Sequence, residues 1–340
     1  MQSKVKNLLS VVVLSQFVLL SCTFPASSTS PASTPAVPIT GDSTPTAAVV
    51  VHQMVPGEPP GEGVYQTGDQ DSSPMADKKQ APGGDRFTFG RFERPFNADT
   101  MDTYFPDLDI QDAFLVEDPT WIYAAMTLKS ADASGSLHGR YGFEIDSNND
   151  GGGEWLVEVA QPASTEWSTV GVQVRFDAND DVGGAPTVNA DDPSSNGAGY
   201  ETVLVDSDQG DDPDLAWSRV ILADPVTVQF AVKRSLLEGD DTYMALMWAG
   251  TDDFDAVIFD MNDHYTHEQA GAALPDLKYF YPIKALSELD NACRITVGFQ
   301  PTGSEPGLCA VANKQPGEPG CILVCPGVAG AIVPCYCVQQ

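Results

Sequence analysis

Residues 113–128 read Ala113-Phe114-Leu115-Val116-Glu117-Asp118-Pro119-Thr120-Trp121-Ile122-Tyr123-Ala124-Ala125-Met126-Thr127-Leu128. Two apolar runs flank Glu117-Asp118-Pro119-Thr120. Aspartate there can bond the backbone two residues on, and proline fixes φ, so the centre is turn chemistry and the stretch predicts a β-hairpin. The same texture continues outward. Tyr141–Ile145, Trp155–Val159, Val170–Phe176, Val203–Val205, Thr227–Val232 and Tyr243–Trp248 are short runs bounded by Asp, Asn, Gly or Pro, and Phe87-Thr88-Phe89 alternates ahead of them. Only Glu268–Leu274 and Ile283–Leu289 read as helical, and both are short. Many short strands without βαβ alternation predict an all-β fold, an antiparallel β-sandwich over residues 86–290.

The chain has 340 residues, with 48 acidic against 17 basic side chains and a net charge of −31. That charge excludes a nucleic-acid reader with a basic footprint, because phosphates are repelled. An anionic membrane surface is repelled too, so membrane contact needs an anchor. Residues 1–21 supply an address. Lys4 and Lys6 precede an apolar run from Leu8 to Leu20, about 13 residues where a spanning helix needs about 20. The run ends in Leu19-Leu20-Ser21-Cys22, which resembles the lipobox of bacterial lipoproteins. The resemblance implies cleavage before Cys22, lipid on its sulfur, and a folded part facing outside the cytoplasm. From residue 22 to 85 the chain is rich in Ser, Thr, Pro and Gly. Such a composition buries too little surface to offset its ordering entropy and predicts a disordered stalk.

Within the body, Trp121-Ile122-Tyr123-Ala124-Ala125-Met126, then Gly139-Arg140-Tyr141-Gly142-Phe143-Glu144-Ile145-Asp146 followed by an Asn/Asp/Gly turn, resembles the DOMON-like β-sandwiches, which include the family 9 carbohydrate-binding modules. The resemblance covers about residues 105–250. It implies a jelly-roll-like sandwich that binds sugars or haem, often with structural calcium.

The residues themselves also point to calcium. Asp146-Ser147-Asn148-Asn149-Asp150-Gly151-Gly152-Gly153-Glu154 places oxygen ligands at alternate positions before a run of glycine, a way for a chain to wrap a hard cation. Asp146, Asn148, Asp150 and Glu154 are the candidate ligands. The EF-hand spacing fails, because its twelfth position is Val157. Asp177, Asn179 and Asp181 repeat the alternation, and Asp206–Asp212 is a weaker third cluster. The alternative reading of all three is solvated turns. Trp167, in a polar stretch, and Trp217 are the candidates for stacking on a sugar ring. No nucleophile elbow, P-loop or dinucleotide fingerprint occurs, so the chain is not expected to be an enzyme. His264 and His267 beside Glu268 match no known zinc-protease order.

Apart from Cys22, the cysteines all follow residue 290: Cys293, Cys309, Cys321, Cys325, Cys335 and Cys337. An even set in an exported segment predicts three disulfides stapling a small module over 291–340, with zinc as the alternative. Fifteen pairings are possible. One of them joins Cys293 to Cys309 and leaves Cys321 and Cys325 to Cys335 and Cys337. The whole reads as a lipid-anchored surface protein whose calcium-stabilised sandwich binds ligands outside the membrane, with glycans as one class. A structural or adhesive envelope protein is the alternative, and a glycoside-type hydrolase the third.

Overall fold

The computed structural model describes residues 50–82, 85–86, 90–98, 100–182, 199–251, 265, 270–272, 274–277, 279–280, 286–302, 305 and 307–308, with the backbone of 321–324 and 336–339. The signal segment, Cys22, Phe87–Phe89, His264 and His267 lie outside the described residues.

The fold is all-β and antiparallel. Its strands are β1 (Tyr65–Gly68), β2 (Glu93–Arg94), β3 (Ile110–Glu117), β4 (Trp121–Leu128), β5 (Arg140–Asp146) and β6 (Trp155–Ala160). There follow β7 (Val172–Phe176), β8 (Thr202–Asp206), β9 (Gln209–Gly210), β10 (Ala216–Ile221), β11 (Val226–Lys233) and β12 (Tyr243–Gly250). The chain closes with β13 (Leu289–Asn291), β14 (Ile295–Val297), β15 (Cys321–Val324) and β16 (Tyr336–Gln339). One sheet runs β1-β3-β4-β11-β10. The other runs β2-β13-β12-β5-β6-β7-β8-β9, with β14 also on β12.

The hairpin of residues 113–128 forms as its turn chemistry dictates. Asp118 Oδ1 accepts from the Thr120 and Trp121 amides, both at 2.7 Å. Alternation then sorts the side chains. Tyr141, Phe143 and Ile145 of β5 enter the core shared by the two sheets, where Phe143 meets Phe230 of β11 at 5.5 Å between ring centroids. Their neighbours Glu144 and Asp146 face the other way, and that side of the second sheet is also covered, by Phe92, Tyr200, Trp248, Tyr265 and Leu289. Strand β12, Tyr243–Gly250, is buried along its whole length. This double burial is why its sequence reads as a continuous apolar run rather than an alternating one.

Three expectations change. The stalk does not extend to residue 85, because residues 50–82 pack on the sandwich. β1 pairs with β3 in register Tyr65↔Leu115 to Gly68↔Asp112, and Ser73–Lys78 form a 3-10 turn. Composition misleads here: this segment is held by backbone hydrogen bonds and by side chains of the body, not by an apolar core of its own. In the first helical candidate, Glu268–Leu274, Ala270 is helical, but Gly271 takes φ +71°, a left-handed conformation that ends the helix, and Ala272 is irregular; residues 268 and 269 lie outside the described residues. In the second, residues 286–288 are not helical and Leu289 opens β13.

Of the tail, the backbone of β15 and β16 pairs antiparallel, with Cys321 opposite Gln339 and Leu323 opposite Cys337. Cys293 is disulfide-bonded. Cys309, Cys325 and Cys335 lie outside the described residues.

Candidate functional site

The loop between β5 and β6 brings its acids together: one carboxylate oxygen each of Asp146, Asp150 and Glu154 lie within 4.8 Å of one another. Local hydrogen bonds build it. Asp146 Oδ1 accepts from the Asn149 amide at 2.6 Å, and Oδ2 from the Gly151 amide at 3.0 Å. Asn148 Oδ1 accepts from the Asp150 amide at 2.8 Å, and Asn148 Nδ2 donates to Glu154 Oε1 at 2.8 Å. Glu154 Oε2 accepts from the Ser147 amide at 2.5 Å and from its hydroxyl at 3.0 Å. Gly153 has to be glycine, because a Cβ there would stand 2.2 Å from the Tyr200 hydroxyl and 2.5 Å from Glu144.

The loop already faces a cation. Arg294, 1% exposed, donates from Nη1 to Asp146 Oδ2 at 2.6 Å and from Nη2 to Glu144 Oε1 at 2.8 Å and the Gly151 carbonyl at 3.2 Å. Tyr200 Oη donates to the second Glu144 oxygen at 2.8 Å. One buried guanidinium thus bridges two buried carboxylates and the loop backbone, the geometry a buried ion pair needs to offset its desolvation. Glu154, which Arg294 does not bond, is raised to about 7. Burial drives the shift, and the charges of Asp146 and Asp150 add to it against the hydrogen bonds from Ser147.

The second acidic loop is a set of backbone caps. Asp177 Oδ1 accepts from the Asn179 and Asp180 amides at 3.2 and 2.9 Å, and Oδ2 from Val182 at 2.7 Å. Asp181 accepts from the Gly199 amide at 3.1 Å, and Asn179 is exposed. Among the described residues, no group of three Asp, Glu, His or Cys side chains within 4.8 Å of one another includes Asp177 or Asp181. In the third cluster Asp212 pairs with Lys233 at 2.7 Å.

Both stacking candidates are contacted by the N-terminal segment. Residues 52–58 cross the outer side of the first sheet. His52 lies 4.7 Å from the Trp217 ring, and Trp217 itself is buried. Asp214 holds the strap through the Gln53 and Met54 amides at 2.7 and 2.9 Å and His52 Nδ1 at 2.7 Å. Trp167 Nε1 donates to the Gly57 carbonyl at 3.0 Å, and its ring lies 4.4 Å under the Arg219 guanidinium. Arg219 in turn forks onto Glu58 at 2.8 and 2.9 Å. Trp217 is thus buried and Trp167 half-exposed, both beside a strap that lies within the segment expected to be stalk.

The exposed aromatics are elsewhere. After the 3-10 turn Pro275–Leu277, Tyr279 is 87% and Phe280 77% exposed, beside half-exposed Leu274 and Leu277. The run Tyr279-Phe280-Tyr281 is visible in sequence as an aromatic cluster in a polar region.

Sequence reading also missed a second convergence of acids. Asp69, Glu93 and Asp290 each place a carboxylate oxygen within 4.8 Å of the others. They come from the end of β1, from β2 and from β13, so no local spacing could have signalled them. Asp109 borders the group. Its Oδ2 accepts from the Ser72 amide at 3.0 Å and from the Tyr104 hydroxyl, and its Oδ1 from Gln111 at 2.7 Å. Burial pushes Asp69 up to about 7 and Asp109 to about 6, and it lifts Glu93 and Asp290 well above the ordinary carboxylate range.

Compared with protein-family models, curated proteins and solved structures, the chain gives no match, and the likeness to DOMON-like sandwiches stands on the quoted motifs alone.

Proposed function

We propose that this chain is a lipid-anchored, extracytoplasmic binding protein whose acidic β-sandwich presents the Leu274–Phe280 tip to carbohydrate. The observation that carries the reading is the exposure of Tyr279 and Phe280 on a chain of net charge −31. An aromatic face gives a sugar ring an apolar platform, and surrounding carboxylates accept its hydroxyls. The lipobox at Cys22 supplies the anchor, and the short apolar run before it is cleaved rather than spanning. Three disulfides in the C-terminal module suit this address, and the oxidised state of Cys293 supports them. Calcium at Asp146, Asn148, Asp150 and Glu154 would share Asp146 with Arg294. The guanidinium therefore supplies much of the charge that the bare loop sequence lacks.

The test is a glycan array with the wild-type chain, Tyr279→Ala/Phe280→Ala and Trp167→Ala. The double variant should lose at least about tenfold in affinity, the equivalent of about 1.4 kcal/mol, while Trp167→Ala binds as wild type. A wild-type chain that binds no glycan, or a double variant that binds as well, overturns the reading in favour of a structural or adhesive protein.

A further inference from the structure

We infer that Asp69, Glu93 and Asp290 form a calcium site that clamps the N-terminal strap to the second sheet. The backbone sets up the problem. β2 and β13 pair with Glu93 directly opposite Asp290, and like charges at directly opposed positions of an antiparallel pair repel. Both side chains are buried, Asp290 with no exposure and Glu93 with 5%. Asp69 joins them from the far side. Its amide donates to the Gln111 carbonyl at 2.8 Å as the edge strand β1 ends, which delivers its carboxylate to the pair.

Hydrogen bonds satisfy part of this cluster and leave a defined remainder. Asp290 Oδ2 accepts from the Ile110 amide at 2.7 Å, and Glu93 Oε2 from the Ser72 hydroxyl at 3.0 Å. Asp290 Oδ1 and Asp69 Oδ2 are buried and accept from no donor among the described residues. An orphaned buried carboxylate oxygen costs several times a net hydrogen bond, and here two occur within one cluster of acids. Among the described residues, no lysine or arginine places a charged nitrogen within 4.0 Å of a carboxylate oxygen of Asp69, Glu93 or Asp290, and the charge of Arg91 reaches Asp69 only from farther off. Arg94, next to Glu93 in sequence, turns instead to Asp85 and to the carbonyls of Ala270 and Leu286.

The donor set selects the ion. All the donors are oxygens, which excludes soft metals. Oxygens on opposite sides of one Ca²⁺ stand about 5 Å apart at Ca–O distances of about 2.3–2.6 Å, so three donors within 4.8 Å of one another fit around one ion. Mg²⁺ holds its oxygens at about 2.0–2.1 Å and keeps several waters, which a cluster with two of its three carboxylates buried does not accommodate. The ligands are far apart in the chain, so the ion cross-links residue 69 to residue 290 and should bind the folded state alone.

Equilibrium dialysis of the purified full chain against ⁴⁵Ca²⁺, together with thermal melting in chelator and in calcium, tests this. Wild type should hold a calcium ion that Asp69→Asn and Asp290→Asn each lose, and Asp150→Asn should keep it. At a calcium concentration a hundred times the dissociation constant, the wild-type melting temperature should rise by about 5–10 °C, and magnesium should raise it much less. If Asp290→Asn fails to fold, Asp69→Asn, at the strand edge, decides alone. Calcium retained in full by the folded Asp69→Asn variant, or no calcium bound by wild type, overturns the site.

Discussion

The protein solves the same electrostatic problem in two places by different means. At the β5–β6 loop, buried Glu144 and Asp146 receive the guanidinium of Arg294 from the segment between β13 and β14, and each carboxylate of the loop accepts at least one hydrogen bond, with Asn149 Oδ1 left over. At the β2–β13 pair, Glu93, Asp290 and Asp69 converge with two oxygens left over. The first region carries one cation, Arg294, within the chain itself. The second depends on a cation from solution, so its stability follows the calcium of its surroundings. A covalent cation suits a site that is always needed, whereas a borrowed one makes the attachment of residues 50–82 conditional.

The largest effect should come from removing the built-in cation. Arg294→Met removes the guanidinium that both buried Glu144 and buried Asp146 bond, and breaking a buried pair in this way costs about 3–5 kcal/mol. Urea unfolding should show that loss in chelator. Calcium should restore part of it, because Asp146, Asp150 and Glu154 then have a vacancy for a cation. A variant as stable as wild type would mean that the guanidinium is a bystander.

A smaller effect is expected from pH. Asp69, raised to about 7, and Asp109, raised to about 6, bind protons more tightly folded than unfolded, and so do Glu93 and Asp290. Their contribution is greatest at low pH and is lost as pH rises from about 4 through about 7. In chelator the unfolding free energy should therefore fall between pH 5 and pH 7.5 by more than about 1.4 kcal/mol, the equivalent of one pKa unit. In calcium the fall should shrink, because the ion takes the place of the protons. Glu154 shifts in the same direction at the β5–β6 loop, so the same pair of profiles run on Asp150→Asn separates that loop from the β2–β13 site. Superimposable profiles would count against the borrowed cation.

How much of this was legible follows from what is local. The hairpin at 113–128, the strands from Tyr141 to Trp248 and the Asp/Asn/Gly loops are written in short spacings, and the structure has them within a few residues. β10 escaped notice because Ala216-Trp217-Ser218-Arg219 alternates small against large side chains, and only Ala216, Ser218 and Val220 turn inward. The strap was misread because its hold comes from Asp214, Arg219 and an edge ladder, partners that composition does not report. The acids of the β5–β6 loop were visible as a group, but Arg294, 148 residues from Asp146, was not. The β2–β13 cluster was invisible for the same reason: its acids come from positions 69, 93 and 290, and only the sheet register places two of them face to face.

The most direct test of the contrast is the melting temperature of Glu93→Gln/Asp290→Asn beside wild type, at pH 7.5, in chelator and in millimolar calcium. The amides keep the acceptors for Ser72 and Ile110 and remove both charges. The double variant should melt above wild type in chelator, by several degrees, and should gain clearly less from calcium than wild type does. A variant that melts below wild type in chelator and still gains from calcium would contradict a borrowed cation at this site.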